Sequence, residues 1–373
     1  MPALPLTLYV HLPWCIRKCP YCDFNSHALT GDLPERTYLP SLLADLDAEA
    51  ARATGRPVHA VFFGGGTPSL FSAAAIGAIL DRAAARLTLT ADCEVTLEAN
   101  PGASEVARFA GYRAAGVNRL SIGVQSFDDA MLARLGRVHA AADARRAIAA
   151  AHTARFERVN LDLMHGLPGQ DVAGAVADLD TALAYATGHQ SWYQLTLEPN
   201  TAFHRAPPTL PDEDTLAAIQ DAGAARLKAA GYAQYEVSAW SRPGDESRHN
   251  LNYWRFGDYL GVGAVQSGQL AVRAWVEPGA DHDEGEQRLD PATLRFEFLL
   301  NALRLREGFE DRLFYGRTGL ELDTSDGPWR AAVARGLLEH VDNRWRATDL
   351  GWRFLNDLQA LFLPPTAQGN TLV

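Results

Sequence analysis

Three cysteines crowd into one short stretch near the start of the chain. Cys15, Cys19 and Cys22 follow a β-branched and aromatic run that predicts a buried strand, and the sequence has just one other cysteine, Cys93. Thiolates at this spacing share one loop, so they can bind three irons of a cuboidal iron–sulfur cluster. Such a cluster keeps one iron without a protein ligand.

Two other uses of these cysteines have to be weighed. A zinc site could be completed by His11, His27 or Asp23, although structural zinc usually takes paired cysteine knuckles and four protein ligands. A disulfide is disfavoured in the reducing compartment expected for this chain. Cys93 begins a predicted strand and is interpreted as a small buried hydrophobic residue.

Further polar motifs follow later predicted strands. The string GGGTP at 64–68 lets the backbone approach a ligand without a Cβ atom in the way. Tyr9 shares a strand face with His11 and could reach a ligand or fill the core. The other candidates, each of which could also be an ordinary hydrogen-bonded polar residue, are Glu98, Gln125, Arg137 and Asp162.

The sequence pattern predicts that repeated βα units position these residues. Short apolar runs are each followed by an alanine- and leucine-rich helical stretch, which is typical of a parallel sheet. The predicted strands are 6–12, 58–64, 93–99, 118–124, 158–164, 192–198 and 234–240. Because the polar motifs follow the strand ends, we expect an α/β fold with a partial TIM-like (β/α)6–7 barrel and a site at its C-terminal face.

The pattern changes near residue 285. We expect a barrel domain over 1–275, an acidic, glycine-containing linker over 276–290, and a small, mostly helical, winged-helix-like domain over 291–373. Winged helices often bind DNA, but the net charge of −11 and the lack of a basic face predict no nucleic-acid partner.

Composition places the chain among ordinary globular proteins. The sequence is 47% hydrophobic and 21% charged, and no apolar run has the length of a membrane span. The start lacks the features of a secretory signal, so we expect a cytoplasmic protein.

The CxxxCxxC spacing at the end of the first strand, followed by GGGTP, resembles the radical S-adenosylmethionine (SAM) superfamily. The resemblance implies a 4Fe-4S cluster whose open iron is chelated by the amino and carboxylate groups of SAM. An electron passed through the cluster can then cleave SAM, while the protein supplies orientation and seclusion.

Several strings between residues 6 and 263, among them FFGGGTPSL, NRLSIGVQSF and HNLNYWRFGDYLGVG, resemble the oxygen-independent coproporphyrinogen III oxidase family. The C-terminal region fits the HemN-type domain of that family. Within it, the chain is similar to the HemW branch of haem chaperones. The oxidases carry a further cysteine where this chain has Phe24, and HemW-type members carry the HNxxYW motif found here at 249–254.

The resemblance assigns the site residue by residue. Cluster ligands would be Cys15, Cys19 and Cys22, and the residues that would contact SAM are Tyr9, Tyr21, Gly65, Gly66, Thr67, Glu98, Gln125, Arg137 and Asp162. His249 would be the haem ligand, since imidazole is a common axial donor, although it could instead tie down a loop. Where the family has small residues and a histidine, this chain has Val265, Gln266 and Ser267, which could narrow the pocket beside SAM.

The expected function is therefore a haem chaperone that binds haem and delivers it to haemoproteins. The alternative is a radical SAM enzyme that oxidatively decarboxylates porphyrinogen propionates, which Phe24 argues against, so enzymatic activity stays open. A third interpretation is a zinc-stabilised barrel. Further expectations are an electron donor, respiratory haemoproteins among the recipients, a homodimer, and peripheral membrane association during delivery.

Overall fold

The computed structural model describes residues 5–53, 55–263, 269–270, 273–275, 286–287 and 289–364. Within these ranges, one hydrophobic core fills the region up to Val262, and another fills the region from Phe298 to Phe362 with Phe256 added. Val265, Gln266, Ser267 and most of the expected linker lie outside the described residues.

A sheet of parallel strands in chain order forms the centre of the larger region. Its six sequential strands in the described chain are β1 Leu6–Leu12, β2 Pro57–Gly65, β3 Thr88–Ala99, β4 Arg119–Gln125, β5 Arg158–His165 and β6 His189–Gln194. Each strand pairs in parallel with the one before it. The expected α/β fold with a partial (β/α) barrel is confirmed.

The two edges of this sheet differ from expectation. Residues 234–240 do not form a further parallel strand, because the chain reverses at a two-residue turn and makes an antiparallel hairpin, β7 Ala233–Glu236 and β8 Ala239–Ser241, on β6. At the other edge, β9 Asp258–Gly263 runs parallel to β1. Short antiparallel strands continue from β9: Gln269–Leu270, Arg273–Trp275 and Glu286–Gln287.

Helices separate the strands at the expected places. The longer ones are α1 Glu35–Ala50, α2 Ala73–Arg86, α3 Phe109–Ala115, α4 Ala141–Thr153, α5 Val172–Leu183, α6 Glu213–Ala229 and α7 Arg248–Trp254. Single turns and short helices occupy Ala51–Ala53, Pro68–Leu70, Ala103–Val106, Asp129–Arg134 and Ala202–Arg205. Side chains cap several N-termini, as when Ser72 accepts from the amide of Ala75.

The C-terminal region is helical with a two-stranded wing. Its helices are Pro291–Ala302, Asp311–Thr318, Gly327–Ala334, Asp349–Arg353 and Leu355–Ala360, and Leu338–Val341 pairs antiparallel with Arg344–Ala347. The helix Gly327–Ala334 ends just before the first strand of this wing. Phe298 packs edge to face on Phe309 and Phe314 at 5.0 Å between ring centroids.

The C-terminal region is hydrogen-bonded to the hairpin. Glu236 forms a bridge with Leu305, and the amide of Arg306 donates to the carbonyl of Tyr235 at 3.0 Å. Across the described residues, no helix combines the length and the apolar character that crossing a bilayer requires.

Candidate functional site

The C-terminal ends of the parallel strands surround a cavity of about 350 Å³. The residues predicted from sequence that line it are Cys15, Cys19, Tyr21, Cys22, Gly65, Gly66, Thr67, Glu98, Gln125, Arg137 and Asp162. Tyr9 lines an adjoining cavity of about 280 Å³ that shares Gly65 and Glu98 with the first. His249 lines neither cavity, so the structure brings together every predicted cluster and SAM residue but not the predicted haem ligand.

The cysteine loop is closed by backbone pairing. Its two ends, Trp14–Cys15 and His27–Ala28, form a short parallel bridge, and the amide of Cys22 donates to the carbonyl of Cys19 at 3.1 Å. The thiols are free and half-buried, and burial raises the pKa of Cys15.

The three thiols match the donor set of a cuboidal cluster. Among the residues that the structure describes, no three cysteine, histidine or carboxylate side chains are placed to hold a single metal ion. A cuboidal cluster takes each thiolate on a different iron, so its three cysteines stay apart. A tetrahedral zinc site requires its ligands to converge.

A chain of hydrogen bonds ties Arg137 to the cysteine loop. Its Nη1 lies 3.6 Å from the Sγ of Cys19, and its Nη2 donates to the Oδ1 of Asn100 at 2.6 Å and to the carbonyl of Gly123 at 2.9 Å. Asn100 in turn donates to the Oγ1 of Thr67 at 2.8 Å. Asn100 was not identified from the sequence, although it lies two residues after Glu98.

Two acidic side chains face the cavity. Burial, together with the negative charge of Asp162, raises the pKa of Glu98 to about 8. Burial also raises the pKa of Asp162, whose carboxylate accepts from Ser121 at 2.9 Å and from Asn160 at 2.7 Å. A cationic ligand between these carboxylates would stabilise their ionised forms.

The cavity wall next to these carboxylates carries the amide of Gln125 and the phenol of Tyr193. Gln125 ends β4 in the left-handed region at φ 68°, and its Oε1 accepts from the hydroxyl of Tyr193 at 2.7 Å. Tyr193 and Ser121 also line the cavity but were not identified from the sequence.

The glycines of GGGTP allow neighbouring residues to pack closely around the site. A Cβ on Gly66 would lie 2.6 Å from the carbonyl carbon of Pro13, and one on Gly65 would lie 2.5 Å from the His11 ring. The amides of Gly66 and Thr67 donate to carbonyls of β1 and the cysteine loop, at 2.9 and 2.8 Å. These two amides therefore hold the cysteine loop against β2.

His249 lies inside the barrel. The residue is 4% exposed, and its ring stacks on Phe62 at 4.6 Å and contacts Tyr253 edge-on at 4.9 Å. Burial lowers the pKa of His249 to about 3, so the imidazole is neutral, and its Nδ1 has no hydrogen-bond partner among the described residues. Asn250 and Trp254 of the same motif do reach the cavity.

The C-terminal region contributes a cation to the cavity wall. The Arg304 guanidinium lies 4.3 Å above the Trp254 ring and 3.8 Å from the carboxylate of Glu236. These contacts were not predicted, because they depend on how the two regions dock.

Phe24 stands at the rim of both cavities with 62% of its surface exposed. Residue 24, which distinguishes the branches of the family that this chain resembles, therefore lies at a solvent-facing edge of the cavity.

A parallel barrel with three loop cysteines and carboxylates at its strand ends defines a radical SAM protein, and residues 9–182 match the model of the radical SAM superfamily. Residues 289–354 match the HemN C-terminal domain. The chain is 48% identical to the heme chaperone HemW of Escherichia coli (strain K12) over 371 residues, which cover 96% of this chain and 98% of that protein. The chain belongs to the HemW family.

Other similarities agree with this assignment. The heme chaperone HemW of Haemophilus influenzae is 43% identical, over 97% of this chain and 99% of its own length. The solved structure of coproporphyrinogen III oxidase (HemN) from Escherichia coli shares the fold, with a TM-score of 0.81 over 97% of this chain and 91% of that chain, at 21% identity.

Proposed function

We propose that this protein is a haem chaperone that binds haem, delivers it to haemoproteins, and carries a SAM-coordinated 4Fe-4S cluster. The observation that carries the proposal is Phe24, an exposed phenylalanine at the cavity rim where the oxidases have a cysteine, in a chain 48% identical to a protein named heme chaperone HemW. A side chain without a ligand atom cannot serve a second metal or redox role at that position.

In this proposal Cys15, Cys19 and Cys22 bind three irons of the cluster. Arg137 supports the arrangement, since its guanidinium donates toward Cys19 and offsets the charge that a thiolate would carry. When bound, the cluster supplies an electron to SAM.

SAM would fill the cavity at the strand ends. Its positively charged groups are suited to the carboxylates of Glu98 and Asp162, and its ribose and adenine need polar partners such as Gln125. The full set of SAM contacts that we propose is Tyr9, Tyr21, Gly65, Gly66, Thr67, Glu98, Gln125, Arg137 and Asp162.

His249 is proposed as a haem ligand on the chemistry of its ring. A neutral imidazole with an unbonded Nδ1 is able to coordinate iron. Because the ring is buried between Phe62 and Tyr253, coordination requires α7 to turn this side chain toward a cavity.

The competing function is radical SAM decarboxylation of coproporphyrinogen III. The test begins with anaerobic purification and analysis of iron and sulfide, followed by haem titration of the wild type, His249→Ala and the exposed control His152→Ala. An assay for 5′-deoxyadenosine and decarboxylated product is run with and without coproporphyrinogen III. Haem binding without decarboxylation supports the chaperone, porphyrinogen turnover supports the oxidase, and iron-free, zinc-loaded protein overturns both.

Partners, organisation and location follow from the same proposal. The protein would be cytoplasmic and would contact membranes peripherally while it delivers haem to recipient haemoproteins, respiratory ones among them. An electron donor would reduce its cluster. We also propose the division into 1–275, 276–290 and 291–373, and a homodimer, which sedimentation of the reconstituted protein would reveal.

A further inference from the structure

Hydrogen-bond donors surround the sulfur atoms of the cysteine loop. Nη2 of Arg137 donates to the Oδ1 of Asn100 at 2.6 Å, which leaves the amide nitrogen of Asn100 to donate to the Oγ1 of Thr67 at 2.8 Å. Thr67 therefore keeps its own proton for the thiol of Cys15, to which its hydroxyl is hydrogen-bonded. Nη1 of the same guanidinium lies 3.6 Å from the Sγ of Cys19. One arginine thus supplies Cys19 directly and, through Asn100, orients the donor at Cys15.

Ser26 provides the donor at the remaining sulfur. The residue is 3% exposed, and its amide donates to the carbonyl of Phe24 at 2.7 Å within the loop. Its Oγ lies 3.6 Å from the Sγ of Cys22 and is also hydrogen-bonded to the thiol of Cys15. A hydroxyl has only one proton to donate. Because Thr67 already supplies Cys15, the proton of this hydroxyl is available to Cys22.

Cys93 has different surroundings. It lies in β3, and its Sγ donates to the backbone carbonyl of Glu94 at 3.8 Å, as a neutral thiol does. Each sulfur of the cysteine loop has a side-chain donor beside it instead. Hydrogen bonds are stronger when the acceptor is ionised, so these donors suit sulfur atoms that are thiolates bound to iron.

We propose that the hydroxyls of Ser26 and Thr67 and the guanidinium of Arg137 set the reduction potential of the cluster, each by donating to one of its three thiolates. The inference rests on the proposed function, which places the cluster on these cysteines. Reduction adds negative charge to the cluster. Hydrogen bonds to the sulfur atoms stabilise this charge, so they raise the potential. A cluster that holds its electron more firmly reduces SAM less readily, which suits a chaperone better than an oxidase.

The test is a potentiometric titration of the full-length, cluster-reconstituted protein without SAM, followed by the electron paramagnetic resonance signal of the reduced cluster. We expect Ser26→Ala to lower the midpoint potential. At a fixed applied potential, the ratio of reduced to oxidised cluster should fall about tenfold, which corresponds to about 59 mV for a one-electron couple. Iron and sulfide content should stay unchanged. Ser41→Ala, at an exposed position of α1, is the matched control and should keep the wild-type potential.

A pair of variants at Thr67 separates hydrogen bonding from packing. Thr67→Val keeps the shape of the side chain but removes the donor, so it should lower the potential as Ser26→Ala does. Thr67→Ser keeps the donor and should retain the wild-type potential. If these side chains only held the loop in place, their loss would change the iron content and leave the potential of the remaining cluster unchanged.

The wild type offers a measurement that decides the matter if the variants lose the cluster. Hydroxyl and guanidinium protons exchange in D2O, so electron–nuclear double resonance of the reduced cluster should detect deuterons coupled to it. Absence of such deuterons, or a wild-type potential in both folded Ser26→Ala and folded Thr67→Val, overturns the inference. Those results leave the proposed function standing, provided that iron and haem still bind. Wild-type protein without iron after reconstitution overturns both the proposed cluster and this inference.

Discussion

The carboxyl of Glu98 is expected to be protonated in the ligand-free protein at neutral pH. Burial and the nearby charge of Asp162 raise its pKa from 4.5 to about 8. Between pH 4.5 and about pH 8, the folded protein therefore keeps a proton on Glu98 that the unfolded chain has released. The contribution of Glu98 to the free energy of unfolding should fall with rising pH in this window, by at most about 1.4 kcal/mol per pH unit.

Glu98→Gln removes this titration with little change in shape. The stability of the variant relative to the wild type should increase by up to about 2.7 kcal/mol between about pH 5.5 and about pH 7.5. Urea denaturation of the ligand-free protein at both pH values measures the difference. Glu157→Gln, at an exposed position, is the control and should show no such trend.

Binding of SAM offers a second readout of the same proton. A cationic ligand favours the ionised carboxylate, so the wild type should release about 0.9 proton per SAM at about pH 7, the fraction protonated at a pKa of about 8. Calorimetry in two buffers of different ionisation enthalpy measures this release, which Glu98→Gln should abolish. Equal proton release by both proteins, or a stability difference independent of pH, would refute the reasoning.

Other changes test the cluster and the packing. Cys22→Ala should lose most of its iron after anaerobic reconstitution, whereas Cys93→Ala, in a buried strand, should retain it; equal iron in both would contradict the ligand assignment. Gly223→Ala should destabilise the protein by about 1–3 kcal/mol, because its Cβ would lie 1.9 Å from the Trp192 ring. Gly316→Ala, with open space around its Cβ, should be neutral or stabilising by up to about 1 kcal/mol in the same denaturation experiment.

The sequence predicted most of the parallel sheet because its signals are local. The first strand was expected at 6–12 and is found at Leu6–Leu12, where a largely apolar run is bounded by prolines. The strand expected at 192–198 lies instead at His189–Gln194. The hairpin over 233–241 was not expected, because the residues of its turn continue the pattern of a single strand. The edge strand Asp258–Gly263 was missed because its short, glycine-rich run carries little periodicity.

The cavity was predictable for a related reason. Parallel strands place their C-terminal ends on one face, so residues at those ends, such as Glu98 and Asp162, meet there. The surroundings of His249 were not predictable, because α7 turns this ring into the barrel between Phe62 and Tyr253. The contacts of Arg304 depend on docking between distant segments.

Delivery of haem can be measured as its transfer from this protein to an acceptor. The reconstituted protein is loaded with one equivalent of haem, mixed anaerobically with an apo-haemoprotein, and followed by the shift of the Soret band to that of the acceptor. We expect transfer of most of the haem, faster than from free haem in the same buffer. Retention of the haem by this protein, or transfer no faster than from free haem, would contradict it.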